Sequence, residues 1–220
     1  MRYIDHLADL HKRTTRDYLG RMNEYPKAQA IEKAKKYGYD YWDGDRKFGY
    51  GGYKYDGRWK VVAEKLVKAY NLTKDSKVLD IGCGKAFLLY EIMQLVPGIK
   101  VTGIDISEYA IENAKEEVKP FLQVADAAKL PFEDKSFDLI ISLNTLHNLF
   151  CYDLEKALLE IARVGKKDKY VIVESYRNEE EKVNLMCWVL TGECFFSPKE
   201  WEWWFEKFGY DGDYSFIYFE

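Results

Sequence analysis

The sequence predicts an α/β fold: a doubly wound, mostly parallel sheet of six or seven strands, with an N-terminal helical cap and a Tyr/Gly-rich lid. Three observations carry this expectation. Between residues 77 and 175, short apolar runs alternate with amphipathic helical stretches. Alternation of this kind, with near-continuously apolar strands, points to a parallel sheet covered on both faces. The first apolar run leads straight into the glycine turn Gly82-Cys83-Gly84. Ahead of this core, residues 1–70 read as helices around a segment too rich in glycine and aromatic rings to be one regular element.

In chain order, Ile4, Leu7 and Leu10, then Tyr18, Leu19 and Met22, recur at helical spacing. Pro26 opens a helix from Lys27 to Tyr37, in a first turn where its missing N–H costs nothing. From Tyr37 to Trp59 the chain holds six Gly, six Tyr, two Trp, one Phe and four Asp. A long glycine-hinged loop of amphipathic rings suits a lid over a small site. A third helix, Arg58 to Tyr70, places Val62, Leu66 and Ala69 on one side. Strands are expected at Lys77–Ile81, Lys100–Ile104, Phe121–Ala125, Phe137–Leu143 and Tyr170–Glu174. Helices are expected at Ala86–Leu95, from the N-cap Ser107 onward, and at Leu154–Val164. Lys166, Lys167 and Lys169 read as a solvated turn. Last come a helix beginning with Glu179 to Glu181, the capped start Ser197-Pro198-Lys199-Glu200, and a strand at Tyr214–Phe219. Residues 1–70 form cap and lid, and residues 71–220 the core of the same domain.

Composition excludes several classes. Of 220 residues, 47% are apolar and 32% charged, which rules out disorder and fibrous structure. A net charge of −4 supplies no general attraction to nucleic acid. No apolar run reaches the length of a membrane span, and no signal-peptide core stands at the start. Cys83, Cys151, Cys187 and Cys194 are scattered without CxxC spacing and read as reduced thiols of a cytoplasmic protein. His6, His11 and His147 assemble no metal site, so none is expected.

The chemistry-bearing signal is Val78-Leu79-Asp80-Ile81-Gly82-Cys83-Gly84-Lys85-Ala86: buried strand, glycine turn, helix. Asp105 ends the second strand, where a carboxylate can accept both hydroxyls of a ribose. Asp126 follows the third strand, where a carboxylate can accept from an adenine amine. With Leu130-Pro131-Phe132-Glu133-Asp134-Lys135-Ser136-Phe137-Asp138 before the fourth strand, the chain resembles class I S-adenosylmethionine-dependent methyltransferases over about residues 75–175. The resemblance implies a Rossmann-like sheet, S-adenosylmethionine as cofactor and S-adenosylhomocysteine as product. It further implies that Asp80, Gly82, Cys83 and Gly84 surround the methionyl portion, with Lys85 in the same set. Asp105 would hold the ribose with Ile106 beside it, Asp126 and the Ala127 amide the adenine. Leu143 and Asn144 would lie under the sulfonium. Ala86 stands where that family usually has a third glycine. A nicotinamide-binding oxidoreductase fits less well, because its third fingerprint glycine would fall on Phe87. The family commonly closes its sheet with an antiparallel hairpin, for which one good strand is visible here. That leaves open a six-stranded sheet, a short partner strand, or cover by a partner chain.

For the methyl acceptor, the expected machinery is His147 after the fourth strand as proton acceptor and Arg46, Arg58, Tyr50 and Tyr53 on the lid. Glu174-Ser175-Tyr176-Arg177-Asn178 also faces the cleft, following the fifth strand. The reaction read from this is O-methylation of a small-molecule or peptide carboxylate, or of a sugar-type hydroxyl, by a monomer or homodimer away from membranes and nucleic acid. The competing readings are a non-catalytic cofactor-binding module and a nucleic-acid methyltransferase. The latter lacks the Asn-Pro-Pro-aromatic or Asp-Pro-Pro-aromatic sequence of many amino-methylating enzymes.

Overall fold

The computed structural model describes residues 1–11 and 16–220. Seven described strands form one sheet: β1 (Arg2–Tyr3), β2 (Lys77–Ile81), β3 (Lys100–Asp105), β4 (Leu122–Val124), β5 (Phe137–Leu143), β6 (Gly165–Glu174) and β7 (Asp213–Ile217). Their order is β1-β7-β6-β5-β2-β3-β4, and every pair is parallel. The chain winds one way through β2, β3 and β4, then the other way through β5, β6 and β7. The switch point therefore lies between β2 and β5, where ligands of such sheets bind at the carboxyl ends of the strands.

The helices are α1 (Ala8–His11), α2 (Tyr18–Glu24), α3 (Lys27–Ala34), α4 (Tyr39–Trp42), α5 (Lys60–Ala69), α6 (Phe87–Leu95), α7 (Glu108–Glu112), α8 (Cys151–Val164), α9 (Glu179–Trp188) and α10 (Pro198–Lys207). Successive strand residues serve opposite faces. Leu139 and Ile141 of β5 join a core with Val62 and Leu66 of α5 and Leu89 and Ile92 of α6. Ile140, between them, joins Leu154, Leu158 and Ile161 of α8 and Trp201 and Phe205 of α10. The expected capping box of Ser197 and Glu200 starts α10.

Three details depart from the sequence reading. β6 starts at Gly165, so the lysine-rich stretch is strand and not a solvated turn. Lys169 is buried there because its ammonium meets Asp211 at 2.7 Å. The helix expected to reach Tyr37 ends at Ala34, and Tyr37 itself takes a left-handed conformation (φ 48). The sheet is also closed differently. No antiparallel hairpin is present among the described residues. Instead residues 2 and 3, from the segment read as cap, pair in parallel with Asp213 and Tyr214. Arg2 donates twice to the Asp213 carboxylate, at 2.8 and 2.7 Å. All four cysteines are free, though the thiols of Cys151 and Cys194 come within 3.8 Å. No described helix is long and apolar enough to cross a membrane.

Candidate active site

The glycine turn at the end of β2 is built as expected. Gly82 (φ +76) and Gly84 (φ +55) both need left-handed backbone, and neither has room for a side chain. A Cβ on Gly82 would lie 1.9 Å from Thr145 Oγ1, and one on Gly84 would lie 2.7 Å from the Trp42 ring. The Gly82 and Cys83 amides donate to the Ile104 carbonyl, fixing the turn against β3. Ala86 keeps a left-handed conformation (φ 55) and is fully buried ahead of α6. The backbone conformation that glycine favours thus survives at this position without the glycine.

Asp105 accepts from the Gly84 and Ser107 amides, each at 2.8 Å. Burial still holds its carboxyl above the ordinary range, against the pull of those bonds. Asp80 is 4% exposed. Burial, and then the charge of Asp105, pushes its carboxyl up to about 8. No cation or donor among the described residues offsets that cost. A carboxyl buried without a partner fits a ligand that brings the positive charge, as the ammonium of S-adenosylmethionine would. Burial also raises the Cys83 thiol, so it stays protonated. Asp126 is exposed and accepts from the Ala128 amide in a tight turn, with Ala127 half-buried. Ile106 is 57% exposed. These residues, with Leu143 and Asn144 at the end of β5, fall at the carboxyl ends of β2 to β5, where the family would hold its cofactor.

The Tyr/Gly-rich segment expected to be a lid packs on this cradle. Trp42 of α4 sits over Gly84 and donates from Nε1 to Ser107 Oγ and the Tyr37 carbonyl, at 2.9 and 3.0 Å. Its ring stacks on Tyr50 at 5.2 Å, and Tyr50 meets Tyr53 at 4.7 Å. Asp43 anchors the segment by accepting from Lys85 Nζ (2.6 Å), the Tyr109 hydroxyl (2.8 Å) and the Tyr53 amide (3.0 Å). Lys85, expected beside the cofactor, is buried with its ammonium committed to Asp43 and the Tyr53 carbonyl. Its task in this structure is to hold the lid.

Beside the cradle opens a cavity of about 530 Å³, lined by all five residues expected to serve the acceptor: His147, Arg46, Arg58, Tyr50 and Tyr53. Asn144 lines it too and joins it to the cofactor end. Tyr50 is 39% exposed, an exposure available to a molecule in the cavity. His147 corrects the sequence reading. It is buried in a 3₁₀ turn, Leu146–Asn148, and Nδ1 accepts from the Glu174 amide at 3.3 Å. Nε2 therefore carries the proton, 3.3 Å from Glu174 Oε2. Burial lowers the imidazole to about 3, so the ring is neutral, and its one lone pair, on Nδ1, is taken by the Glu174 amide. The histidine packs beside the Glu174 carboxyl without a hydrogen bond to it.

Glu174, at the end of β6, is the residue that the sequence reading left in the background. Its side chain is 15% exposed and burial pushes its carboxyl up to about 8. Its Oε2 and Asn144 Oδ1 are buried acceptors without a hydrogen-bond donor, and both residues line the cavity. Its place after the fifth strand was the available signal. The arginines also redistribute. Arg58 is neutralised by Asp56, which accepts from its Nε at 2.9 and 2.7 Å. Arg21 of α2 joins Arg46 on the cavity wall. The side chain of His11 lies outside the described residues, and no metal-ligating cluster is present among those described.

A switch-point crevice with a glycine turn, carboxylates at successive strand ends and an adjoining half-open cavity is the layout of the class I methyltransferase fold. A family model described as "Methyltransferase domain" matches residues 72–209, more than half the chain, and the chain belongs to that family. Demethylmenaquinone methyltransferase of Staphylococcus aureus is 36% identical over 118 residues, 51% of this chain and 48% of that protein. The mitochondrial arginine-hydroxylase NDUFAF5 of Mus musculus is 33% identical over 118 residues, 52% of this chain and 34% of that protein. The chain thus spans about a third to a half of the length of these relatives. The YcgJ protein of Bacillus subtilis shares the fold, with a TM-score of 0.55 and 24% identity over 66% of each chain.

Proposed function

We propose that this chain is an S-adenosylmethionine-dependent O-methyltransferase acting on a hydroxyl of a small molecule, with Glu174 as proton acceptor. The observation that carries this reading is Glu174 itself: a carboxyl raised to about 8, with a buried undonated oxygen, in a residue that lines the cavity beside the cofactor cradle. A carboxylate acceptor is already ionised and needs no base, so the geometry favours the hydroxyl over the carboxylate. S-adenosylmethionine, when bound, would supply an electrophilic methyl group on its sulfonium. Asp80, Asp105 and the glycine turn would hold it. Asn144 lies where cradle and cavity meet. As the oxygen–carbon bond forms and the carbon–sulfur bond breaks, the hydroxyl proton would pass to the Glu174 carboxylate, beside which His147 is packed. The rings of Trp42, Tyr50 and Tyr53 exclude water, so alignment and dryness do most of the work.

The test is methyl transfer from labelled S-adenosylmethionine to fractionated small-molecule pools, with the product identified by mass. Glu174→Gln should cut turnover roughly 10²–10⁴-fold without changing the affinity for S-adenosylhomocysteine. Wild-type activity should rise with pH through about 8, because the ionised carboxylate is the working form. Full turnover by Glu174→Gln would remove the assignment.

A further inference from the structure

Arg16 aside, the described arginines divide into two groups. Arg2, Arg58, Arg163 and Arg177 each sit on a carboxylate: Asp213, Asp56, Glu160 with Asp134, and Glu181 with Glu220. Arg21 and Arg46 do not. Arg21 donates from Nε to the Trp188 carbonyl at 2.9 Å and from Nη1 to the Arg46 carbonyl at 3.0 Å. Arg46 donates from Nη1 to the Gly49 carbonyl at 2.7 Å. Both guanidinium groups lie over the Trp188 ring, at 4.7 and 5.2 Å from its centre. Backbone carbonyls and one indole thus hold two forks in place without neutralising either, and each keeps N–H donors to spare.

Both belong to the wall of the same cavity as Glu174, Asn144 and His147. The cavity's other charges do not change the balance. Asp56 is spent on Arg58, and Glu174, with its carboxyl at about 8, carries little charge at neutral pH. Arg16 adds a further guanidinium to the lining. Packing lowers the pKa of both arginines, Arg21 to about 10 with the charge of Arg46 contributing. Two fixed, adjacent cations that repel one another in a cavity are a receptor for an anion, since a carboxylate or phosphate is gripped bidentately by such forks.

We infer that Arg21 and Arg46 form a subsite for an anionic group, a carboxylate or a phosphate, carried by the methyl acceptor. This rests on the reading of the cavity as the acceptor site. It narrows the substrate class to small hydroxylated acids or phosphate esters that fit about 530 Å³.

The experiment is a binding measurement, independent of turnover. Protein loaded with S-adenosylhomocysteine is titrated calorimetrically with 4-hydroxybenzoate, phenyl phosphate and the uncharged methyl 4-hydroxybenzoate. The anions should bind at least tenfold more tightly than the ester, and more weakly as salt is raised. Phenyl phosphate binding the tighter of the two assigns a phosphate; the reverse order assigns a carboxylate. Arg21→Met and Arg46→Met should each weaken anion binding tenfold or more and leave the ester unchanged, and Arg21→Lys should fall between. The paired change Asp56→Asn with Arg58→Met, which removes both members of that ion pair, should bind like wild type. Ester binding equal to that of the acids in wild-type protein overturns the subsite, whether or not any variant folds. So does failure of both anions to bind at millimolar concentration. Glu174→Gln separates the two assignments, because it should lose turnover and keep anion affinity. Anion binding with an inactive wild type would sink the proton-acceptor reading and spare the subsite.

Discussion

Cofactor binding should release a proton, and Asp80 is the source. Its carboxyl stands at about 8, with only burial and Asp105 acting on it and both favouring the neutral form. At pH 7 about nine molecules in ten therefore hold the proton. An ammonium placed beside a buried carboxyl lowers its pKa by about 1–3, so half or more of the bound protein is ionised. Release of roughly 0.4–0.9 proton per cofactor follows at pH 7, falling towards zero well above pH 8. Below pH 8 the affinity should rise by up to about tenfold per pH unit. The assay is calorimetric titration with S-adenosylhomocysteine at pH 7 in buffers of different ionisation enthalpy, where the slope of observed heat against that enthalpy counts protons. Asp80→Asn should bind more weakly and abolish the slope. Heat independent of buffer in wild type, or an undiminished slope in Asp80→Asn, would refute the argument.

Two further outcomes concern stability and the lid. Asp80 and Glu174 hold protons in the folded state that the unfolded chain gives up near 4, so their contribution is full at low pH and is lost as pH rises towards 8. His147 works the other way: its neutral form is buried, and stability falls as pH drops from about 6.5 towards 3. With two carboxyls losing stability and one imidazole gaining it as pH rises above about 4, the melting temperature of the unliganded protein should be highest near pH 4, and Glu174→Gln should flatten its alkaline limb. A flat profile from pH 5 to 9 would contradict the buried carboxyls. Gly84→Ala would place a Cβ 2.7 Å from the Trp42 ring in left-handed backbone. It should lift the lid, costing about 1–3 kcal/mol. The expected signs are faster proteolysis near residues 49–57 and weaker S-adenosylhomocysteine binding; unchanged values for both would show that Trp42 yields freely.

What could be read from the sequence follows from the range of the interactions involved. Strands β2, β3 and β5 are apolar on both faces and flanked by helices, so local pattern suffices to find them. The glycine turn and the carboxylates at successive strand ends lie within a few residues of those strands and were equally visible. The tasks of individual side chains were less so. Lys85 looks like a cofactor residue until α4 brings Asp43 against it from 42 positions away. His147 looks like a base until the sheet sets the Glu174 amide against Nδ1. Arg58 looks free until its neighbour two residues earlier claims it. Arg21 sits in an unremarkable short helix, and only the docking of α2 against Trp188 aims it into the cavity. Long-range packing decides the roles of Lys85, His147 and Arg21, and the ion pair of Arg58 is local but carries no periodic signal.

The unusual sheet edge and the acceptor site belong to one structural solution. A β7 at the edge would expose a row of unpaired backbone groups, and a C-terminal hairpin partner is absent among the described residues. The N-terminus supplies the missing strand, with the Ile4 amide donating to the Tyr214 carbonyl just beyond the paired residues. Having passed that edge, the chain is committed to run over the carboxyl end of β7. Leu7, Leu10 and Arg21 from this segment meet Ile217 and Phe219 from the far end of β7 on the cavity wall. Arg21 is held there by the Trp188 carbonyl of α9, and Arg46 of the lid by its own turn. Closing the sheet with the N-terminal segment thus places a cation-bearing helix over the acceptor cavity, where a C-terminal hairpin would have left that wall to other residues. The departure from the family's usual edge is, on this argument, what gives the cavity its charge.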